Sequence, residues 1–279
     1  MGPSLKFFAG LWTLRDYLVD GRIWTLADKF AEVKRRGFSG IGGRFDPDAP
    51  ALCAEYALDY ILYIDADAHD YEEQLRRALD WMPRRINVQL CDHDTTPEQA
   101  LAVWIKMEAL ALELGLDIDL ELHRDTATET PEKAYAIAAL FLQATGRPIR
   151  FGLDFSHFAV TKHLVPPYAA RLLDHPELFS SVRQLHLRPF NGHHAQVPAT
   201  NGQGVLSAEM CPYLEFIEVL FKTVMKTAKQ QDVFYACPEN GPKDHGGYAL
   251  ACFPDPWLDA IRVRDEVAAL WIRQGGTLG

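Results

Sequence analysis

Apolar residues recur along the chain in two alternating rhythms. Short runs with a two-residue period predict strands near Leu5–Gly10, Phe38–Gly42, Tyr60–Ile64, Ile86–Leu90, Ile118–Leu122, Ile149–Leu153, Val182–Leu187 and Val233–Cys237. Longer stretches with a helical period follow them. "TPEQALAVWIKMEALALELG" and "TPEKAYAIAALFLQATG" both open on Thr-Pro-Glu, a cap with proline in the first turn, and both close on glycine. "TLADKFAEVKRRG" ends in a basic turn and a glycine, and "DYEEQLRRALDWMP" starts acidic and stops at proline. "CPYLEFIEVLFKTVMKTAK" and "PWLDAIRVRDEVAALWIRQ" are helical as well, and the second and sixth helices are expected near Ala49–Ala57 and Val165–Asp174. Eight strands alternating with eight helices predict an α/β protein, a single (β/α)8 TIM barrel occupying residues 1–279 as one domain. Such a barrel takes ~250 residues. An open doubly wound sheet would want a glycine-rich phosphate loop after an early strand. The one candidate, "SGIGGRF", lacks the GxGxxG spacing.

Side chains alternate between the two faces of a strand, so each strand offers an inward and an outward set. In "DIDLELH" the residues Ile118, Leu120 and Leu122 oppose Asp119, Glu121 and His123. Leu185 and Leu187 oppose Gln184, His186 and Arg188, and Phe234 and Ala236 oppose Tyr235, Cys237 and Glu239. Ile86, Val88 and Leu90 oppose Asn87, Gln89 and Cys91, while Phe151 and Leu153 oppose Arg150, Gly152 and Asp154. Five successive strands thus turn a polar set inward. Buried polar groups are costly alone, so these must serve one another, a metal or a substrate. Glu121, Asp154, His186 and Glu239 lie near the C-terminal ends of the fifth to eighth strands. The first two steps between them match one βα unit, and the third is lengthened by the long Pro189–Cys211 connection. They are expected to converge at the barrel mouth, where barrel active sites are built. Three carboxylates and an imidazole suit one divalent ion: Mn²⁺ foremost, Mg²⁺ or Co²⁺ as alternatives, rather than structural zinc.

Composition narrows the function. Hydrophobic residues make up 48% of the 279, enough for a sizeable core. The formal charge of −10, from 28 basic and 38 acidic residues, is poor for gripping a nucleic-acid backbone. No nucleic-acid partner is expected. Cys53, Cys91, Cys211, Cys237 and Cys252 form no CxxC pair and are expected to be buried free thiols in a reducing compartment. The start "MGPSLKFFAGLW" is too short an apolar run for a signal peptide, and no 18-residue apolar run suggests a membrane span. The expected setting is cytoplasmic.

The motifs "ELHRDT", "LDFSH", "QLHLRPF" and "PENGP", with the Gly202-Gln203-Gly204 turn, resemble the xylose isomerase-like TIM barrel superfamily. That group holds sugar isomerases, ketose 3-epimerases, inosose dehydratases and the endonuclease IV class of AP-site repair enzymes. The resemblance covers Ile118 to the C-terminus by motif and the first four units by pattern. It implies a metal-dependent isomerase or epimerase of a sugar or sugar derivative, working through a metal-stabilised enediolate. Glu121, Asp154, His186 and Glu239 match its metal ligands, with Glu121 and Glu239 as the proton-transfer pair. His157 matches a substrate-contacting histidine, and Arg188 and His123 are expected to support the site by orienting ligands or gripping substrate oxygens. Gly192 and Ala127 stand where the epimerases carry arginine and glutamate, which points away from 3-epimerisation of a free ketose.

Three alternatives stay open: a dehydratase or lyase on a keto-sugar or inosose at the same site, an AP-site DNA endonuclease, and a non-catalytic barrel. The endonuclease would need further ligands, for which His69, His93, His193 and His194 are candidates, but loop histidines are the expectation. Phe8, Trp12 and Trp104 are expected in core packing rather than under a sugar, and Arg124 at the surface. The expected partner is a small carbohydrate, with a homo-oligomer through the outer helices left open.

Overall fold

The computed structural model describes residues 2–243 and 248–279. Eight parallel strands pair in chain order: β1 (Ser4–Gly10), β2 (Gly40–Gly43), β3 (Asp59–Ala66), β4 (Arg85–Leu90), β5 (Ile118–Glu121), β6 (Phe151–Leu153), β7 (Gln184–Leu187) and β8 (Val233–Pro238). The eighth returns to the first, from Ser4 against Val233 to Phe7 against Ala236, and so closes a TIM barrel. The strands lie where the two-residue period placed them. Near the end of the chain Thr277–Leu278 lies along the start of β1, while β2 pairs with its last three residues.

Alternation decides where the core sits. Ile86, Val88 and Leu90 of β4, Leu120 of β5 and Leu185 and Leu187 of β7 join one large apolar cluster. The helices cover this outward set. Inside the barrel a small separate cluster of Phe8, Ile61 and Tyr63 packs with Tyr235. The interior is therefore apolar toward β1 and β3 and polar toward β4 to β8. At the lower end of that polar half, Arg85 grips Asp119 through two bonds of 2.5 and 2.6 Å, so each buried charge has a partner.

Local chemistry sets the helix starts. Thr96 and Thr130 cap the helices Pro97–Glu113 and Pro131–Thr145, as the Thr-Pro-Glu triplets predict, and Thr25 with Asp28 forms a capping box on Leu26–Arg35. Two expectations need correction. The sixth helix is not at Val165–Asp174; Phe155–Thr161 follows β6 directly, and only a single turn, Ala169–Leu172, falls in the expected window. Asp154 causes the early start, because its carboxylate accepts from the Ser156 backbone N–H and caps the helix at the strand's end. The cysteines are all free, but Cys237 alone is buried; Cys211 and Cys252 are exposed, and Cys53 and Cys91 half-buried. Among the described residues no helix is long and apolar enough to cross a membrane.

Candidate metal centre

The four strand-end residues converge. Glu121, Asp154, His186 and Glu239 are all buried, and each offers a ligand atom within 4.8 Å of the others. Donors facing each other across a divalent ion stand ~4–5 Å apart, so the spacing fits one ion. Among the described residues no other group of three or more histidines, cysteines or carboxylates converges in this way. His69 lines a separate acidic hollow, and His93, His193 and His194 are exposed.

Interior amides hold the ligands in place. The Asn87 amide donates to Glu121 Oε2 at 2.6 Å, and Gln184 donates to Asn87 Oδ1 at 2.6 Å. Both amide orientations follow from the carboxylate, which only accepts, so the chain runs Gln184 to Asn87 to Glu121. Gly152 makes room for it: a Cβ there would lie 2.6 Å from Asn87 Oδ1 and 3.2 Å from Gln184 Nε2. Asp154 uses one oxygen on Ser156, through its N–H at 3.0 Å and its hydroxyl at 2.6 Å. Its other oxygen meets Arg188, whose Nε donates to Ser156 Oγ at 3.1 Å.

His186 carries the clearest sign of a missing partner. Its Nδ1 lies 2.9 Å from Glu121 Oε1 and 3.2 Å from Glu239 Oε2, yet it is aligned with neither for a hydrogen bond. A buried polar atom aimed between carboxylates without an oriented bond suits a metal ligand. The electrostatics agree. Burial opposes the charge of Glu121, but His186 and His123 lower its pKa to about 2. Burial likewise opposes the charge of Asp154, and Arg188 and His157 hold it well below the carboxylate range. Against its own burial, His186 is pushed well up by Glu239 and Glu121. Glu121 and Asp154 thus stay ionised and draw a cation. Burial, with Glu239 beside it, pushes the Cys237 thiol up to about 12, which leaves it neutral and outside the ligand set.

A cavity of about 610 Å³ opens over the centre, and Glu121 and Glu239 reach its lining together with Arg188 and His123. Asp154, His186 and His157 lie beneath it. His157 is on the helix Phe155–Thr161 rather than in a loop, with its Nε2 3.0 Å from an Arg188 nitrogen and its ring 4.3 Å from that of His123. It stands behind Arg188, off the cavity wall. Trp12 lines the cavity, whereas Phe8 and Trp104 are buried in packing. Arg124 is exposed yet reaches the cavity rim, its guanidinium 4.9 Å from the Tyr248 ring.

Several wall residues were not anticipated. Tyr63 lines the cavity, its ring 5.3 Å from that of His186 and its buried hydroxyl beside the Cys237 thiol. A Cβ on Gly42 would meet that hydroxyl at 2.2 Å, so the glycine keeps its place open. The parity of "DYILYIDA", with Ile61 and Tyr63 facing inward, is the signal that finds it. Arg15, Lys29 and Arg44 also line the cavity, and nothing in their spacing separates them from solvated surface residues.

No protein-family model matches the sequence, and no curated protein matches it. Solved structures match along nearly the whole chain. A xylose isomerase-like TIM barrel protein from Mycobacterium smegmatis, in complex with magnesium, is similar at TM-score 0.58 and 12% identity, over 95% of this chain and 97% of its own. The probable 3-DHS dehydratase AsbF from Bacillus anthracis, involved in petrobactin synthesis, is similar at 0.57 and 13%, over 93% and 98%. The apo form of YcjR from E. coli, a 3-keto-D-glucoside 4-epimerase, is similar at 0.54 and 13%, over 96% and 99%. At these identities the likeness speaks for the fold alone, and that fold is a TIM barrel, shared with a xylose isomerase-like TIM barrel protein, a probable dehydratase and an epimerase.

Proposed function

We propose that the protein is a divalent-metal-dependent isomerase or epimerase of a sugar or sugar derivative. The observation that carries this reading is the four-residue cluster, with two of its carboxylates turned toward a cavity. Glu121, Asp154, His186 and Glu239 would hold the ion, Mn²⁺ by preference, and the ion would supply Lewis-acid polarisation of a substrate carbonyl. The residues of the chain do the rest. Glu121 ends β5 and Glu239 directly follows β8, on different sides of the barrel mouth. One removes a proton from the carbon beside the carbonyl and the other returns one. Asn87 keeps Glu121 aimed. Arg188 and His123 meet substrate oxygens from the cavity wall, and His157 steadies Arg188 from behind.

Loss of a neighbouring hydroxyl after the same proton removal would make the protein a dehydratase, a reading favoured by the likeness to AsbF alongside YcjR. Incubation with ketoses, inososes and keto-glycosides in D₂O tests the shared step. The wild type should introduce deuterium into a substrate C–H bond. Glu239→Gln should keep the fold and lose exchange by at least ~10²-fold. Undiminished exchange removes Glu239 from proton transfer, and products lacking water assign the dehydratase reading.

A further inference from the structure

The cavity is cationic in an acidic protein. Arg15, Lys29, Arg44, Arg124 and Arg188 line it, against Asp46 and the two centre glutamates. The chain as a whole carries −10. Three of the five cations are engaged. Arg44 makes a two-bond pair with Asp65 at 2.5 and 2.9 Å, Arg188 is committed to Asp154, and Arg124 lies over the Tyr248 ring. Arg15 and Lys29 are different. Arg15 reaches Asp16 only at 3.9 Å and stands 5.9 Å from the Trp12 ring, and among the described residues the Lys29 ammonium makes neither an ion pair nor a hydrogen bond, with Asp16 and Asp46 acting on it only at longer range. Lys29 is nevertheless half-buried, and burial lowers its pKa. Elsewhere on this surface cations find carboxylates readily, as Arg22 does with Asp28 at 2.6 Å and Arg35 with Glu32 at 2.6 Å. Two like charges gathered on one wall of a cavity repel each other and favour an anion between them.

Their position gives that anion a role. The centre draws its ligands from β5 to β8, while Arg15 follows β1 and Lys29 sits on the helix Leu26–Arg35 that comes next. The barrel closes β8 against β1, so this wall borders the Glu239 side of the mouth. Leu11, Leu26 and Trp12 line the cavity beside the two cations and offer apolar surface to a carbon skeleton.

We propose that Lys29 and Arg15 form an anion subsite, so that the substrate is an acidic sugar derivative carrying a carboxylate or phosphate away from the carbon that reacts. The subsite rests on the proposed function for the identity of the rest of the molecule, but its charge preference is measurable without turnover. Titration calorimetry of the full chain incubated with Mn²⁺ would compare D-glucuronate, D-glucose 6-phosphate and D-glucose at low salt. At least one of the two anions should bind about tenfold or more tightly than D-glucose, as a charge-assisted contact provides, and the better of the two identifies carboxylate or phosphate. The advantage should shrink as salt is raised. In Lys29→Met and in Arg15→Gln the ratio of anion to neutral affinity should fall toward one, with circular dichroism confirming the fold. Equal binding of all three sugars, an unchanged ratio in both variants, or no binding of any sugar overturns the subsite. Failure of the proposed chemistry appears elsewhere, as deuterium exchange absent while the charge preference and its loss in the variants persist.

Discussion

Asn87 shows how a single residue can govern the centre without touching substrate. Its amide fixes Glu121 at 2.6 Å while Gln184 fixes the amide in turn. Asn87→Ala would leave a buried carboxylate oxygen without its donor, at a cost of ~1–3 kcal/mol in stability. The larger effect should fall on the ion. Partners that orient a ligand typically contribute 10–100-fold to metal affinity, so Mn²⁺ binding by calorimetry should weaken by about tenfold or more. Affinity equal to wild type would mean that Glu121 needs no orientation. At this scale the sequence was informative about donor types. Glu121, Asp154, His186 and Glu239 stood out because each polar residue fell at a strand end with the inward parity. Lys29 and Arg15 did not, because a cation on a helix or loop reads the same whether it faces solvent or a cavity. Tyr63 carries the same inward parity, but in an apolar strand a tyrosine reads first as ordinary core material.

Gly152 belongs to β6, the strand that leads into Asp154, and it shows how strand parity builds the site. One position before Leu153, it faces inward where the amide chain passes. Gly152→Ala would put a methyl group 2.6 Å from Asn87 Oδ1 in a packed barrel. The amides would have to move, at ~1–3 kcal/mol for overpacking, with metal affinity falling alongside stability. Denaturant midpoints and Mn²⁺ titration on the same variant check both, and a neutral outcome in each would show that the interior has slack. Elements were legible wherever one periodicity dominated, as in the alternating strands and the Thr-Pro-Glu helix starts. The sixth helix was misplaced because Asp154 both ends a strand and caps a helix. Read as a strand-end ligand, it concealed the cap that starts a helix at Phe155, and with it the place of His157 on that helix.

The whole molecule separates its labour between the two ends of the barrel. Toward the strand starts, charges serve stability: Asp59 meets Arg84 at 2.8 Å and Lys6 at 3.4 Å, and Asp117 meets Arg150 at 2.7 Å. Partial burial disfavours both carboxylates, yet these basic partners, with Arg85 beside Asp117, keep their pKa values below the ordinary one. Because the folded state binds these protons less readily than the unfolded chain, the stabilisation is present above pH ~4 and lost as pH falls through the lowered folded values. Solvent screening holds each contribution below ~1 kcal/mol. The urea midpoint of Asp59→Asn should therefore lie below wild type near neutral pH and converge with it as the carboxyl protonates in acid. A constant gap would assign the effect to packing. The other end of the barrel carries the four-residue cluster and the cavity above it. The closed architecture was readable from the count of alternating units, whereas the cavity walls come from loops whose meeting in space no periodicity records. The central claim is that Glu121, Asp154, His186 and Glu239 form one metal centre. The direct test is metal analysis by plasma mass spectrometry after dialysis against Mn²⁺ and removal of free ion. The account predicts about one ion per chain in the wild type, with most of it lost in His186→Asn. A folded wild type that retains no ion, or the same content in both proteins, would contradict it.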